Sequence, residues 1–147
     1  MQNLTQKEQR FLQEALKHEE VCIAKYGQYA NQVKDPKIKQ MFQQLQQKEQ
    51  QHYQTISGLL GQNAANQQMQ AGGQQMNQNQ GGGQISEQDI LQDMLMTEKY
   101  VSDSYNMTVL DSLNQQMRQQ MQHIQNEEQQ HANQIVDAMI QKGYYQQ

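Results

Sequence analysis

Tryptophan is absent from this chain, and cysteine and proline occur once each. A lone Cys22 rules out any disulfide within the chain. A reduced thiol is the expectation, with an intermolecular cross-link as the alternative. Long apolar runs are also missing: none approaches the roughly 20 residues that span a bilayer. Basic residues are few and scattered, 11 Lys and Arg against 15 Asp and Glu for a net charge of −4. Nucleic acid is therefore a poor partner. The opening residues MQNLTQKEQR hold no apolar signal-peptide core, so synthesis in the cytoplasm without export is expected. The alternation of β-branched and polar residues that marks strands is nearly absent.

What is present is glutamine, about a quarter of the 147 residues, far above ordinary usage. Methionine is plentiful at 10 residues and fills core gaps without demanding one geometry. Residues 61–84 are Gly-, Gln- and Asn-rich with no apolar period and read as a flexible connector. Each flank reads as two helices. The first is expected from a Thr5 cap, with Glu8 as its capping-box partner, to about Val33. The second begins at Asp35 and Pro36 and stops near Leu60, before Gly61. Ser86 caps a third that ends near Ser112, and Asn114 caps a fourth that ends before Gly143. The expected organisation is one domain over 1–147: a hairpin at 5–60, a linker at 61–85 and a hairpin at 86–142.

Alternating steps of four and three place one stripe of residues along each helix. The stripes are Leu12, Leu16, Glu19, Ile23, Tyr26, Ala30, Val33; then Ile38, Phe42, Leu45, Glu49, His52, Ile56, Leu59. The second half repeats them as Leu91, Leu95, Glu98, Ser102, Tyr105, Val109 and Met117, Met121, Ile124, Glu128, His131, Ile135, Ala138. This is the seam of a packed helical bundle. The halves share one offset: 98 − 19, 105 − 26, 128 − 49 and 131 − 52 all equal 79. The fold class that follows is all-α, a four-helix bundle built from two similar hairpins.

Four carboxylates and two imidazoles interrupt seams that should be apolar. A buried carboxylate without a partner costs several kcal/mol, so something must compensate. With turns near Lys34 and Leu113, Glu19 and Glu49 each lie 15 residues from the first apex, and Glu98 and Glu128 each lie 15 from the second. His52 and His131 follow their glutamates by three residues, on the same face. All six converge in one layer. One Glu from each of two helices and Glu-x-x-His from each of the other two is the two-metal pattern of ferritin-like bundles. The expected metal ligands are Glu19, Glu49, His52, Glu98, Glu128 and His131. Oxygen and imidazole donors suit two iron or manganese ions, with zinc as a third option. The competing reading is a buried polar layer in which each His pairs with a Glu and no metal binds. Tyr26 and Tyr105, seven residues after Glu19 and Glu98, are placed either to hydrogen-bond the ligands or only to pack. Glu20 and Glu127 fall off the stripe and are expected on a solvated face, with His18 and His123 exposed.

The segments MLMTEKYVSDSYNMTVLDS and MRQQMQHIQNEEQQHANQIVDAMIQKGYY resemble the Coat F domain of bacterial spore coat proteins. The resemblance rests on TEKY…SYN, NEEQQH and QKGYY and covers most of 86–145. It implies a ferritin-like fold, a place in the spore coat, and other coat proteins or a second copy of the chain as partners. It implies no catalytic residue. By the resemblance, Glu98, Glu128 and His131 hold the metal-like positions; Glu19, Glu49 and His52 come from the repeat. A Gln-rich surface also suits dense intermolecular hydrogen bonding or isopeptide links to lysines in a coat. The expected function is a structural or assembly protein of the spore coat with a two-metal site. The alternative is a di-iron or di-manganese redox enzyme, similar to rubrerythrin or a ferroxidase, protecting against peroxide. No Cys-x-x-Cys pair is available for a rubredoxin-type electron-transfer unit.

Overall fold

The computed structural model describes residues 4–61 and 85–145. They form four helices: α1 (Gln6–Ala30), α2 (Pro36–Leu60), α3 (Glu87–Asp111) and α4 (Gln115–Lys142). The connector expected at 61–85 lies almost wholly outside the described residues. α1 packs along α2 and α3 along α4 as two hairpins, with α1 then set beside α3 and α2 beside α4.

Each helix start is fixed by local chemistry. Thr5 and Glu8 form the expected capping box, with Glu8 N donating to Thr5 Oγ1 and Thr5 N to Glu8 Oε1, both at 3.0 Å. Asp35, Ser86 and Asn114 each accept a hydrogen bond from the first turn of their helix. At the far end of α4, Gly143 adopts φ 77° and donates to Ile140 O, while Tyr144 N reaches Met139 O at 2.8 Å. That is a Schellman stop, which a side chain at 143 would strain. α1 ends at Ala30 rather than Val33. The pyrrolidine of Pro36 disfavours helical geometry in the residue before it, and Asp35 is extended, with ψ at 118°. Val33 is buried all the same.

The stripes form the core, with small corrections. Ile23 and Ser102 are half-buried, and Cys22 and Val101 take the inward places instead. A straight helix drifts against a 3.5-residue repeat, so one position per few turns slips to its neighbour. The carbonyls of Ile23 and Ser102 accept from the side-chain amides of Gln46 (2.9 Å) and Gln125 (3.3 Å). Those pairs are again 79 apart: 125 − 46 and 102 − 23. Leu59 and Ala138 are half-buried near helix ends.

Both ends of the bundle are locked by the same device. Glu8 Oε2 accepts from Leu113 N (2.6 Å) and Asn114 N (2.9 Å), where α4 begins. Its mate Glu87 accepts from Asp35 N at 3.4 Å, where α2 begins. Here 87 − 8 and 114 − 35 both equal 79. Lys142 Nζ adds bonds to Asp35 (2.8 Å) and Glu87 (3.1 Å). These contacts set the topology. α3 starts beside the α1–α2 turn and ends beside the start of α1, so the attachment points at 61 and 85 lie at opposite ends of a bundle about 37 Å long.

Burial would raise the Glu8 carboxyl, but the hydrogen bonds from Thr5, Asn114 and Leu113 outweigh it and hold its pKa below the usual range. Replacing Glu8 strands three backbone donors at once. Glu8→Ala is expected to cost about 2–4 kcal/mol, read as a lower midpoint in urea with an unchanged slope. An unchanged midpoint would show that water replaces the carboxylate without loss.

Candidate metal centre

Glu19, Glu49, Glu98 and Glu128 are fully buried, and His52 and His131 are 3% exposed. All six meet halfway along the bundle, as the spacing from the two turns requires. They form two donor sets: Glu19, Glu49, His52 and Glu128; and Glu49, Glu98, Glu128 and His131. Within each set one donor atom per residue lies within 4.8 Å of the others. Glu49 and Glu128 belong to both sets.

The division of oxygens is regular. Glu49 presents Oε1 to His52 Nδ1 and Oε2 to His131 Nδ1, both at 3.1 Å. Glu128 presents Oε2 to His52 Nδ1 at 3.3 Å and Oε1 to His131 Nδ1 at 3.2 Å. Glu19 approaches only His52 (3.7 Å) and Glu98 only His131 (3.3 Å). Each set therefore has one imidazole and one unshared carboxylate from its own hairpin. It also has one oxygen from each shared carboxylate. The two rings are nearly parallel, 16° apart, with centroids at 5.8 Å.

The tyrosines do more than pack. Tyr105 Oη donates to Glu19 Oε2 at 2.8 Å and also lies 3.1 Å from Ala15 O. Tyr26 Oη donates to Glu98 Oε2. Each unshared carboxylate is thus oriented by a tyrosine of the opposite hairpin, which couples the halves. Burial, and then the neighbouring carboxylates, push both phenols well above their ordinary pKa, so they remain donors.

Hydrogen bonding within the cluster is incomplete. Glu19 Oε1, Glu98 Oε1 and both oxygens of Glu128 are buried without a hydrogen bond among the described residues. Glu128 lies near two ring nitrogens but without hydrogen-bond geometry to either. Buried oxygens are rarely left this way. Two imidazole protons cannot serve four facing carboxylates.

The electrostatics show the same strain. Burial, then the charge of Glu128, raises Glu98 to about 7. Burial and the neighbouring charges, Glu19 first among the carboxylates, raise Glu49 well above the usual range. Burial also pushes Glu128 up, but His131, His52 and Glu98 bring it below its ordinary value. Burial alone would lower both histidines. The carboxylates prevail, Glu128 and Glu19 lifting His52 to about 11 and Glu128 and Glu98 lifting His131 to about 9. Protons thus stand in for missing positive charge.

Four carboxylates balance two divalent cations in charge, and imidazole with carboxylate oxygen suits iron, manganese or zinc. The residues present fit such a pair.

Several residues lie elsewhere than their sequence positions suggest. Glu127, expected on a solvated face, is half-buried with Oε1 at 2.8 Å from His52 Nε2. His18, expected to be exposed, is half-buried, its ring 5.5 Å from that of Tyr100 and its Nε2 3.4 Å from Ser104 Oγ. Glu20 is half-buried with Tyr53 Oη at 3.4 Å. His123 is exposed as expected. Cys22, fully buried, is pushed well above its ordinary pKa by burial and then by Glu98, Glu128 and Glu19, so its thiol stays protonated and inert.

An all-helical pair of hairpins joined around a carboxylate–imidazole cluster defines the class of molecule. Residues 86–147 match the family model of the Coat F domain. The second hairpin is thus similar to the Coat F domain. No curated protein matches the chain. The first hairpin lies outside the matched residues and is related to the second by the constant offset and by the paired contacts above.

Proposed function

We propose that this protein is a structural or assembly component of the spore coat whose ferritin-like bundle holds two divalent metal ions, iron or manganese by preference and zinc otherwise. The observation that carries the metal reading is the pair of donor sets sharing Glu49 and Glu128. The similarity to the Coat F domain supports the coat reading. The attachment points of the connector suit the crossover of a ferritin-like chain. Glu19, Glu49, His52 and Glu128 would hold one ion, and Glu49, Glu98, Glu128 and His131 the other. When bound, the ions supply the positive charge the carboxylates need and, as iron or manganese, redox capacity.

The outward face of α3 supports an assembly role. Met96, Tyr100, Met107 and Leu110 are between 58% and 69% exposed along it, and Leu113 in the turn that follows is 80% exposed. Such an apolar stripe suits contact with other coat proteins or a second copy of the chain. None of the described helices is long and apolar enough to cross a membrane.

A peroxide-consuming redox enzyme is the second reading, favoured by the oxygen-rich donor sets and the tyrosines on the unshared carboxylates. Two measurements separate the readings. Mass spectrometry of coat extracts should find this chain in the coat fraction; recovery only from the spore interior would overturn the coat assignment. The iron- or manganese-loaded protein should consume peroxide no faster than its free metal ion if the role is structural. Multiple turnovers, lost in Glu49→Gln, would put the enzyme reading first.

A further inference from the structure

The 79-residue symmetry holds for every ligand, for both tyrosine contacts and for the Gln46 and Gln125 bonds. Among the contacts of the six cluster residues it breaks at the outer nitrogen of His52. His52 faces the donors with Nδ1 and turns Nε2 to Glu127 Oε1, 2.8 Å away. The mate of Glu127 is position 127 − 79 = 48, which is lysine. The two motifs therefore read Lys-Glu-x-x-His at Lys48–His52 and Glu-Glu-x-x-His at Glu127–His131.

That exchange has chemical consequences. A carboxylate on the outer ring nitrogen fixes the proton there. It leaves the lone pair of Nδ1 aimed inward and makes the imidazole a stronger donor. Lys48 has three N–H donors and no acceptor, so it cannot do this for His131. Instead its Nζ lies 3.6 Å from Glu127 Oε2, and His123 Nε2 lies 3.3 Å from the same oxygen. Both contacts hold Glu127 in place against His52. Resting on the two-metal reading above, we propose that the two positions are unequal. The first divalent ion enters the set of Glu19, Glu49, His52 and Glu128, the second enters the His131 set, and Glu127 is the positioning residue that sets this order.

The test is a titration of chelator-treated, full-length protein with Co(II), followed by calorimetry and by NMR of the imidazole protons. The wild type should bind in two steps, and the first equivalent should shift the His52 ring signals before those of His131. Glu127→Gln should weaken the first step by about 10–100-fold while the total stays at two ions. The charge swap Lys48→Glu with Glu127→Lys keeps the contact between positions 48 and 127 and should make His131 respond first. Simultaneous shifts of both rings in the wild type, or an unchanged order in the swap, would overturn the proposal while leaving the two-metal reading intact. Failure to bind Co(II) at all would overturn both.

Discussion

Glu49→Gln combined with Glu128→Gln is expected to weaken metal binding more than a thousandfold and, at the same time, to stabilise the metal-free protein. Both sets lose both shared donors, so each falls from four protein ligands to two. A four-donor structural zinc site contributes roughly 10–16 kcal/mol at neutral pH. Losing half the donors should cost on the order of 5 kcal/mol per ion, more than a thousandfold in affinity. The stability effect has the opposite sign. Glu49 and Glu128 are fully buried among other carboxylates, and each ion out of water carries a penalty of several kcal/mol. Glutamine keeps the shape, drops the charge and adds N–H donors for Glu19 and Glu98. His52 can still pair with Glu19 and His131 with Glu98. A gain of about 1–4 kcal/mol is expected in chelator, or several degrees in Tm for a domain of this size. With excess Mn(II) or Zn(II) the order reverses and the wild type melts higher. If the six residues were only a structural polar layer, the variant would be less stable with and without metal. Thermal melts of both proteins in both conditions decide it.

The metal-free wild type should lose stability as pH rises from about 5 to 9. Glu98, Glu49, His52 and His131 all have folded pKa values above their ordinary ones. Each binds its proton more tightly when folded. Its stabilising contribution is complete below the unfolded pKa and disappears as pH climbs through the folded one. For Glu98 that window runs from 4.5 to about 7, and for His131 from 6.5 to about 9. His52 extends it to about 11. Glu8, Glu127 and Glu128 are shifted down, so their contribution is lost only as pH falls below the ordinary carboxylate value of 4.5. One group shifted as Glu98 is carries roughly 3 kcal/mol, so a fall in Tm of about 10 °C across the window is expected. Metal ions compete with the same protons, so the stabilisation they confer should grow over the same interval. Scanning calorimetry from pH 5 to 9, with chelator and with Mn(II), reads both slopes. A flat profile in chelator would mean that the buried carboxylates are satisfied without metal or proton.

The fold was legible because its signals are local and periodic. Steps of four and three fixed the stripes, and Thr5, Asp35, Ser86 and Asn114 each sit where a first turn needs an acceptor. The six cluster residues were legible as breaches of apolar stripes, and the 79-residue offset brought them to one height. The structure unites all six. What stayed hidden depends on which helices are neighbours across the hairpins. Helical period says nothing of α2 lying beside α4, which carries Glu127 onto His52. Nor does it reveal that Glu8, already used in its own capping box, also caps α4. One signal for Glu127 was present: the residue before the motif glutamate is Lys48 in one half and Glu127 in the other. Only the contact with His52 gives that difference meaning.

The most direct measurement is elemental analysis of protein purified gently, without chelator or a metal-affinity step, alongside the Glu49→Gln/Glu128→Gln variant. Two divalent ions per chain in the wild type, iron or manganese foremost, and none in the variant is the predicted result. Metal-free wild type whose Tm does not move when Fe(II), Mn(II) or Zn(II) is added would contradict it.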